Sequence, residues 1–265
     1  MKLAANLVAR DAVVLAVTAE QLGYEMGLVP EGYRNDAPSV LGLVAGRTRR
    51  IGLASGVMQI PARAPATAAL TAATLDALSG GRFRLGLGLS NPDVSEGWYG
   101  VPFDSPLART REYVEIVRAA LNSGPVTYRG KHFSLPPAGR GGAPLHLYTE
   151  DYRRNLPVYL GAGGPRNLRL AGEIADGWIG VFTPPETVSE AVDQILAGRR
   201  TRRLGLAGFE VIPCLPTAIG RDVRAAADQL RGQYVYLMGI GDPETNFHCA
   251  LARRMGFEGV VEGLR

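Results

Sequence analysis

Two hydrophobic periods take turns along most of the chain. Residues 2–8 (KLAANLV) read as a strand, and 11–23 as a helix that Gly23 closes. A short apolar strand at 26–30 precedes a helix at 38–47, and 50–58 (RIGLASGVM) is again strand-like. An Ala/Thr/Leu-rich helix spans 65–78, and the turn Ser79-Gly80-Gly81-Arg82 leads into a strand at 83–89. Residues 107–121 make a long amphipathic helix, and 128–135 (YRGKHFSL) a small hairpin inside a Pro/Gly-rich excursion ending near Asn155. Strand 157–160, helix 165–175, strand 177–181, helix 186–196, strand 209–215 and helix 221–231 follow, and a last helix covers about 244–255. Repeated strand-then-helix order means parallel strands with helical crossovers. One α/β domain over 1–265 with seven strand candidates is expected, because no composition shift or fixed-period repeat divides the chain. A parallel barrel and a doubly wound open sheet both satisfy that order.

Composition narrows the function classes. With 46% hydrophobic residues in 265, the chain can fill a sizeable core and is neither disordered nor a disulfide scaffold. No run of about 18 apolar residues occurs, and Arg10 and Asp11 interrupt the early apolar stretch, so neither a membrane span nor a secretory signal is expected. The two cysteines, Cys214 and Cys249, fit a reduced, cytoplasmic protein. Net charge is +4, and the arginine pairs at 49–50, 199–200, 202–203 and 253–254 are scattered rather than gathered. They read as solvated helix ends, with no nucleic-acid or membrane partner implied.

The small residues carry more information. Strand alternation sets Ile51, Leu53 and Val57 on one face and Gly52, Ala54 and Gly56 on the other. The strand at 85–90 repeats the pattern, with Leu85, Leu87 and Leu89 opposed to Gly86, Gly88 and Ser90. Large faces pack on helices and small faces turn inward, where glycine marks a close approach of ligand or backbone. A flat ligand against a barrel wall fits that arrangement; so does relief of crowding in a barrel core. In Leu160-Gly161-Ala162-Gly163-Gly164-Pro165, a strand enters a glycine-rich turn with proline at the first helical position. Free backbone N–H groups and the helix dipole there suit a phosphate, although a tight turn needing positive φ would also call for glycine. The pattern is neither a phosphate-binding Gly-Lys-Ser/Thr loop nor a dinucleotide fingerprint. His132, His146 and His248 lack metal-ligand spacing, no nucleophile elbow is present, and Cys214 reads as packing. The chemistry then falls to a bound cofactor.

Three long segments resemble the luciferase-like monooxygenase superfamily: 47–90 (RTRRIGLASGVMQIPARAPATAALTAATLDALSGGRFRLGLGLS), 96–121 (EGWYGVPFDSPLARTREYVEIVRAAL) and 156–180 (LPVYLGAGGPRNLRLAGEIADGWIG). Residues 208–216 and 234–257 are similar to the family's late strand and helix. The likeness is greatest to the branch that uses the deazaflavin coenzyme F420. It implies a TIM-barrel-like (β/α) fold with the cofactor at the C-terminal ends of the strands. Ala54, Ser55, Gly56 and Val57 match the segment behind the deazaflavin ring, where family members often have a bulge with a non-proline cis peptide, here Gly56–Val57. Ser90 and Asn91 match the strand end near the ring and its side chain, and Gly161, Gly163 and Gly164 the phosphate-binding turn. Glu31 stands where relatives carry an acidic residue. The histidine that often follows is replaced by Gly32, and a glutamate of sugar-phosphate-oxidising relatives by Asn91, which argues against that substrate class. Relatives continue past the position of Arg265 into an eighth strand, so an incomplete barrel of about seven parallel strands is expected.

The expectation is an oxidoreductase that transfers hydride between coenzyme F420 and a small organic substrate. Glu31, Tyr33, Asp36 and Asn91 are the candidate catalytic or substrate-facing groups. FMN is the alternative cofactor, with luciferase-like monooxygenase chemistry, and a noncatalytic relative binding a ligand or partner is the alternative function. Open sheet edges favour a homodimer.

Overall fold

The computed structural model describes residues 2–32, 35–122 and 124–263. Strand β1 (Ala4–Asn6) and helix α1 (Ala12–Gln21) lead to β2 (Met26–Val29) and α2 (Ala37–Ala45), the latter capped by the Asp36 side chain on Ser39 N. Next come β3 (Gly52–Ser55), β4 (Met58–Gln59), α3 (Pro65–Leu78), β5 (Phe83–Gly88) and α4 (Pro106–Leu121). Proline opens α3 and α4, where its missing N–H costs nothing. The hairpin of β6 (Tyr128–Arg129) and β7 (Ser134–Leu135) precedes β8 (Val158–Gly161), α5 (Pro165–Ile174), β9 (Gly177–Val181), α6 (Pro185–Arg200) and β10 (Glu210–Cys214). Helices α7 (Val223–Met238), α8 (Phe247–Arg254) and α9 (Glu258–Glu262) follow.

The strands form one curled, parallel sheet in the order β1-β2-β3-β5-β8-β9-β10, the incomplete barrel expected from the sequence. Its outer face is the main core: Leu53, Leu85, Leu87 and Val158 pack on Ala68, Ala72, Tyr113 and Val117 of α3 and α4. The inner face holds a smaller cluster of Met26, Leu28, Ala54, Tyr159 and Ile179. The edges β1 and β10 do not pair with each other, and Pro213 in β10 is a residue that an edge strand accommodates without losing a ladder hydrogen bond. No helix among the described residues is long and apolar enough to cross a membrane.

Two polar ties hold the frame. Glu20, near the end of α1, accepts hydrogen bonds from the backbone N–H groups of Arg49, Arg50 and Ile51 at the entry to β3. Burial alone would raise its pKa, but those three donors hold it down at about 2. Asp76, fully buried in α3, accepts from Phe83 N and from the backbone and guanidinium of Arg153. Behind the sheet, α5 and α6 touch backbone to backbone. A Cβ at Gly172 would collide with the carbonyl of Ile195, and one at Gly198 with the carbonyl of Arg169.

Three boundaries differ from the sequence reading. The strand read over 50–58 is interrupted after Ser55 and resumes at Met58. Helix α7 runs through Gly232 to Met238, because Met238 packs with Cys249 and Val261 and outweighs the local cost of glycine. Helix α9 was not anticipated; Val261 is its buried anchor.

Candidate functional site

The interruption in β3 shapes the mouth of the barrel. Ala54 pairs with Arg84 and Met58 with Leu87, so four steps on one strand match three on the other. This is a bulge of one residue. The Ser55 hydroxyl replaces the lost ladder partner, accepting from Gly86 N at 2.9 Å and donating to Gly86 O at 2.8 Å. The Gly56–Val57 peptide is cis, at the position the resemblance implied. The extra residue also resets the alternation. Val57, expected beside Leu53 on the helix-facing side, instead turns inward, because the bulge shifts every later side chain by one place. Its methyl groups cover Gly88 and Gly161, where Cβ atoms would collide with or crowd them. Gly56 is backed by Leu28, 3.2 Å from where its Cβ would stand. The small-residue wall is therefore lined by Val57 rather than by bare glycine.

Beside Val57 stands Glu31, whose N–H donates to Val57 O. Its side chain is 3% exposed and meets Arg63 in a bidentate pair at 2.7 and 2.8 Å. Gln59 N and Ala37 N donate to the same carboxylate. Four donors occupy its oxygens. Asp36 is likewise engaged, capping α2 and lying 3.6 Å from Arg63. Tyr33 lies outside the described residues. Two neighbours went unnoticed in the sequence: Arg63, and Tyr99, whose phenol burial, and then the Glu31 charge, pushes above its ordinary pKa. Each stands more than thirty residues from Glu31 in the chain, without a motif to mark it.

At the end of β5, Ser90 has φ 66°, a left-handed conformation unusual for serine and often found at functional sites. Asn91 folds the chain back, its side-chain oxygen accepting from Val94 N and its carbonyl from Ser95 N. Beside it, at the end of the neighbouring strand, lies the turn between β8 and α5. Its carbonyls are all engaged: Gly161 O by Asn167, Ala162 O by Trp178 Nε1 at 2.8 Å, and Gly163 O by Arg254. None of Gly161, Gly163 and Gly164 has positive φ, so backbone conformation is not what selects glycine here. Gly163 is selected by the Phe247 ring, which occupies the place of a Cβ. Gly164 is different. It is the N-cap of α5 with φ −92°, no side-chain cap, and open space where a Cβ would point. Ser, Thr, Asp or Asn ordinarily fills such a position and satisfies the first helical N–H groups. Here those donors and the positive end of the helix dipole face an opening, a fit for an anionic oxygen.

The segment 239–248 roofs this mouth. Gly241 abuts the Asp93 carboxylate after β5, Phe247 covers Gly163, and the His248 ring meets Phe182, which follows β9, at 5.3 Å. At the opposite, N-terminal end of the strands is a cavity of about 360 Å³ lined by Arg82, Arg84 and Arg153. The guanidiniums of Arg82 and Arg153 are spent on carbonyls and on Asp76, and the cavity is remote from the glycine turn.

Residues 2–262 match the luciferase-like monooxygenase family. The chain belongs to that family. It is 40% identical over 94% of its length to a Mycobacterium tuberculosis protein assigned by name to the coenzyme F420-dependent oxidoreductases, and covers 74% of that relative. It is 29% identical over 86% of its length to 5,10-methylenetetrahydromethanopterin reductase of Archaeoglobus fulgidus, of which it spans 65%. Among solved structures it resembles the coenzyme F420-dependent tetrahydromethanopterin reductase of Methanopyrus kandleri, with TM-score 0.75 and 26% identity, covering all of this chain and 82% of that one. Within the luciferase-like fold, the bulge and the glycine turn flank β5 at the C-terminal strand ends, with Val57 against Gly161.

Proposed function

We propose that this luciferase-like protein is an oxidoreductase that uses coenzyme F420 to move hydride to or from a small organic substrate. The supporting observation is the uncapped, open N-terminus of α5 at Gly164, facing the same mouth as the Val57 bulge. The deazaflavin, when bound, supplies the hydride chemistry. Val57, backed by Gly88 and Gly161, gives the ring an apolar wall, and the amides at Gly163 and Gly164 hold its phosphate. Ser90 and Asn91 border the ring's side chain. Glu31 acts as a positioning residue: locked to Arg63, it fixes Val57 O through its own N–H. Roofing by 239–248 excludes water from the reacting atoms. Reduction of an activated double bond or imine is the favoured direction.

Titration with F420 and FMN, followed by fluorescence, is the test. F420 should bind at least about ten-fold more tightly than FMN, a difference near 1.4 kcal/mol. Tighter binding of FMN would replace this reading by a flavin monooxygenase, and binding of neither by a noncatalytic relative.

We further propose a homodimer through the outer faces of α1–α3. Val14, Leu22 and Leu78 are 67%, 71% and 62% exposed on or next to these helices, and Leu43 and Leu70 are exposed as well. Light scattering should give twice the chain mass at micromolar concentration, and the double change Leu22→Glu and Leu43→Glu should halve it. A monomeric wild type would refute the interface.

A further inference from the structure

The cavity at the N-terminal end of the strands has an uneven balance of charge. Among the described residues, four guanidiniums line its space of about 360 Å³, those of Arg50, Arg82, Arg84 and Arg153, against two carboxylates, Glu20 and Glu25. Arg153 is answered by Asp76, and Glu25 by Lys2 at 2.9 Å. Glu20 is occupied by the three backbone N–H groups at the entry to β3. Arg82 has no ion pair among the described residues. Its guanidinium donates instead to Ser79 O, Thr48 Oγ1, Ile51 O, Ala45 O and Thr48 O. Such dipoles solvate the cation but leave its charge uncancelled, and burial pushes its pKa below the ordinary value.

Donors within reach of solvent surround the same space, on three separate elements. Arg50, just before β3, is exposed, and Tyr24, before β2, is half-buried; neither side chain makes a hydrogen bond among the described residues. Arg84 in β5 is 19% exposed, lies 3.6 Å from Glu210 and spends one long bond of 3.3 Å on Arg82 O. Planar guanidiniums match the paired oxygens of phosphate and carboxylate groups, and the volume suits a small ligand. We propose that this cavity binds a small multivalent oxyanion, a diphosphate or a polycarboxylate, held by Arg50, Arg84 and Tyr24 and balancing the charge of Arg82. A monovalent ion would leave part of that charge uncancelled. The site lies at the other end of the strands from Gly164, so it is a second ligand site and does not rest on the cofactor assignment.

The test is calorimetric titration and thermal melting with pyrophosphate, citrate and sodium chloride at matched ionic strength. Wild type is compared with Arg50→Gln, Arg84→Gln and Gly164→Asp. Pyrophosphate or citrate should bind with a dissociation constant of about 0.1 mM, and at about 10 mM should raise the melting temperature by about 5 °C. Sodium chloride should raise it by less than about 1 °C. The tighter of the two multivalent ligands tells phosphate from carboxylate chemistry. Arg50→Gln, which removes a side chain without a partner among the described residues, should bind that ligand about ten-fold more weakly, and Arg84→Gln at least as weakly. Gly164→Asp, which fills the anion position at the mouth, should bind it as wild type does. A chloride effect equal to that of the multivalent anions, or unchanged affinity in Arg50→Gln, would overturn the site. Loss of binding in Gly164→Asp would put the anion at the mouth and overturn it as well.

Discussion

Gly164→Asp is expected to make the protein more stable and its cofactor binding weaker at once. The N-cap of α5 has no side-chain cap and has room for one, so aspartate can accept from the first helical N–H groups and contribute about 1 kcal/mol. The same carboxylate then occupies the anion position and repels the phosphate. Intact F420 should lose roughly ten- to hundred-fold in affinity, matching about 1.5–3 kcal/mol for a charged hydrogen-bond site. A phosphate-free ring analogue should bind almost as before. Gly164→Ala separates charge from bulk, since φ −92° suits alanine and its methyl group meets open space. Calorimetric melting and paired ligand titrations give both readouts. Equal losses for both ligands in the Ala and Asp variants would make the turn merely structural.

The second large effect belongs to the Glu31–Arg63 pair. With side chains only 3% and 14% exposed, the ions are shielded from water and depend on each other. Arg63→Met strands the Glu31 carboxylate with only Gln59 N and Ala37 N, and should cost about 3–5 kcal/mol. Adding Glu31→Gln removes the stranded charge and should recover a large part of that loss. Denaturant midpoints of the two single variants and the double variant complete the cycle. A loss under about 1 kcal/mol in Arg63→Met would show that the pair is far better solvated than its burial indicates.

The succession of strands and helices along the chain, with the helix over 65–78 and the strand over 177–181, was legible because alternation, proline at N1 and glycine turns are local signals. The helix-facing Leu53, Leu85 and Leu87 followed from the same alternation. Val57 did not, because counting by twos fails across an inserted residue. Glu31 could be singled out as an acidic group near the mouth, but its partner is 32 residues away, and only the fold shows that its oxygens are occupied. The glycine turn was legible as a pattern. That Gly163 makes way for Phe247 while Gly164 opens onto free space required side chains from α8 to be in place.

The glycine crossing behind the sheet acts as a fulcrum for the mouth. Gly172 and Gly198 press α5 and α6 together at backbone contact, and the opposite end of α5 carries Gly164. A methyl group at either glycine must lever the two helices apart, which swings the uncapped N-terminus relative to Val57. Under the proposed function, grip on a phosphate at Gly164 would be adjustable from the outside of the barrel, by residues that never meet a ligand. Cofactor preference in such a scaffold can drift under substitutions that leave the lining of the mouth untouched.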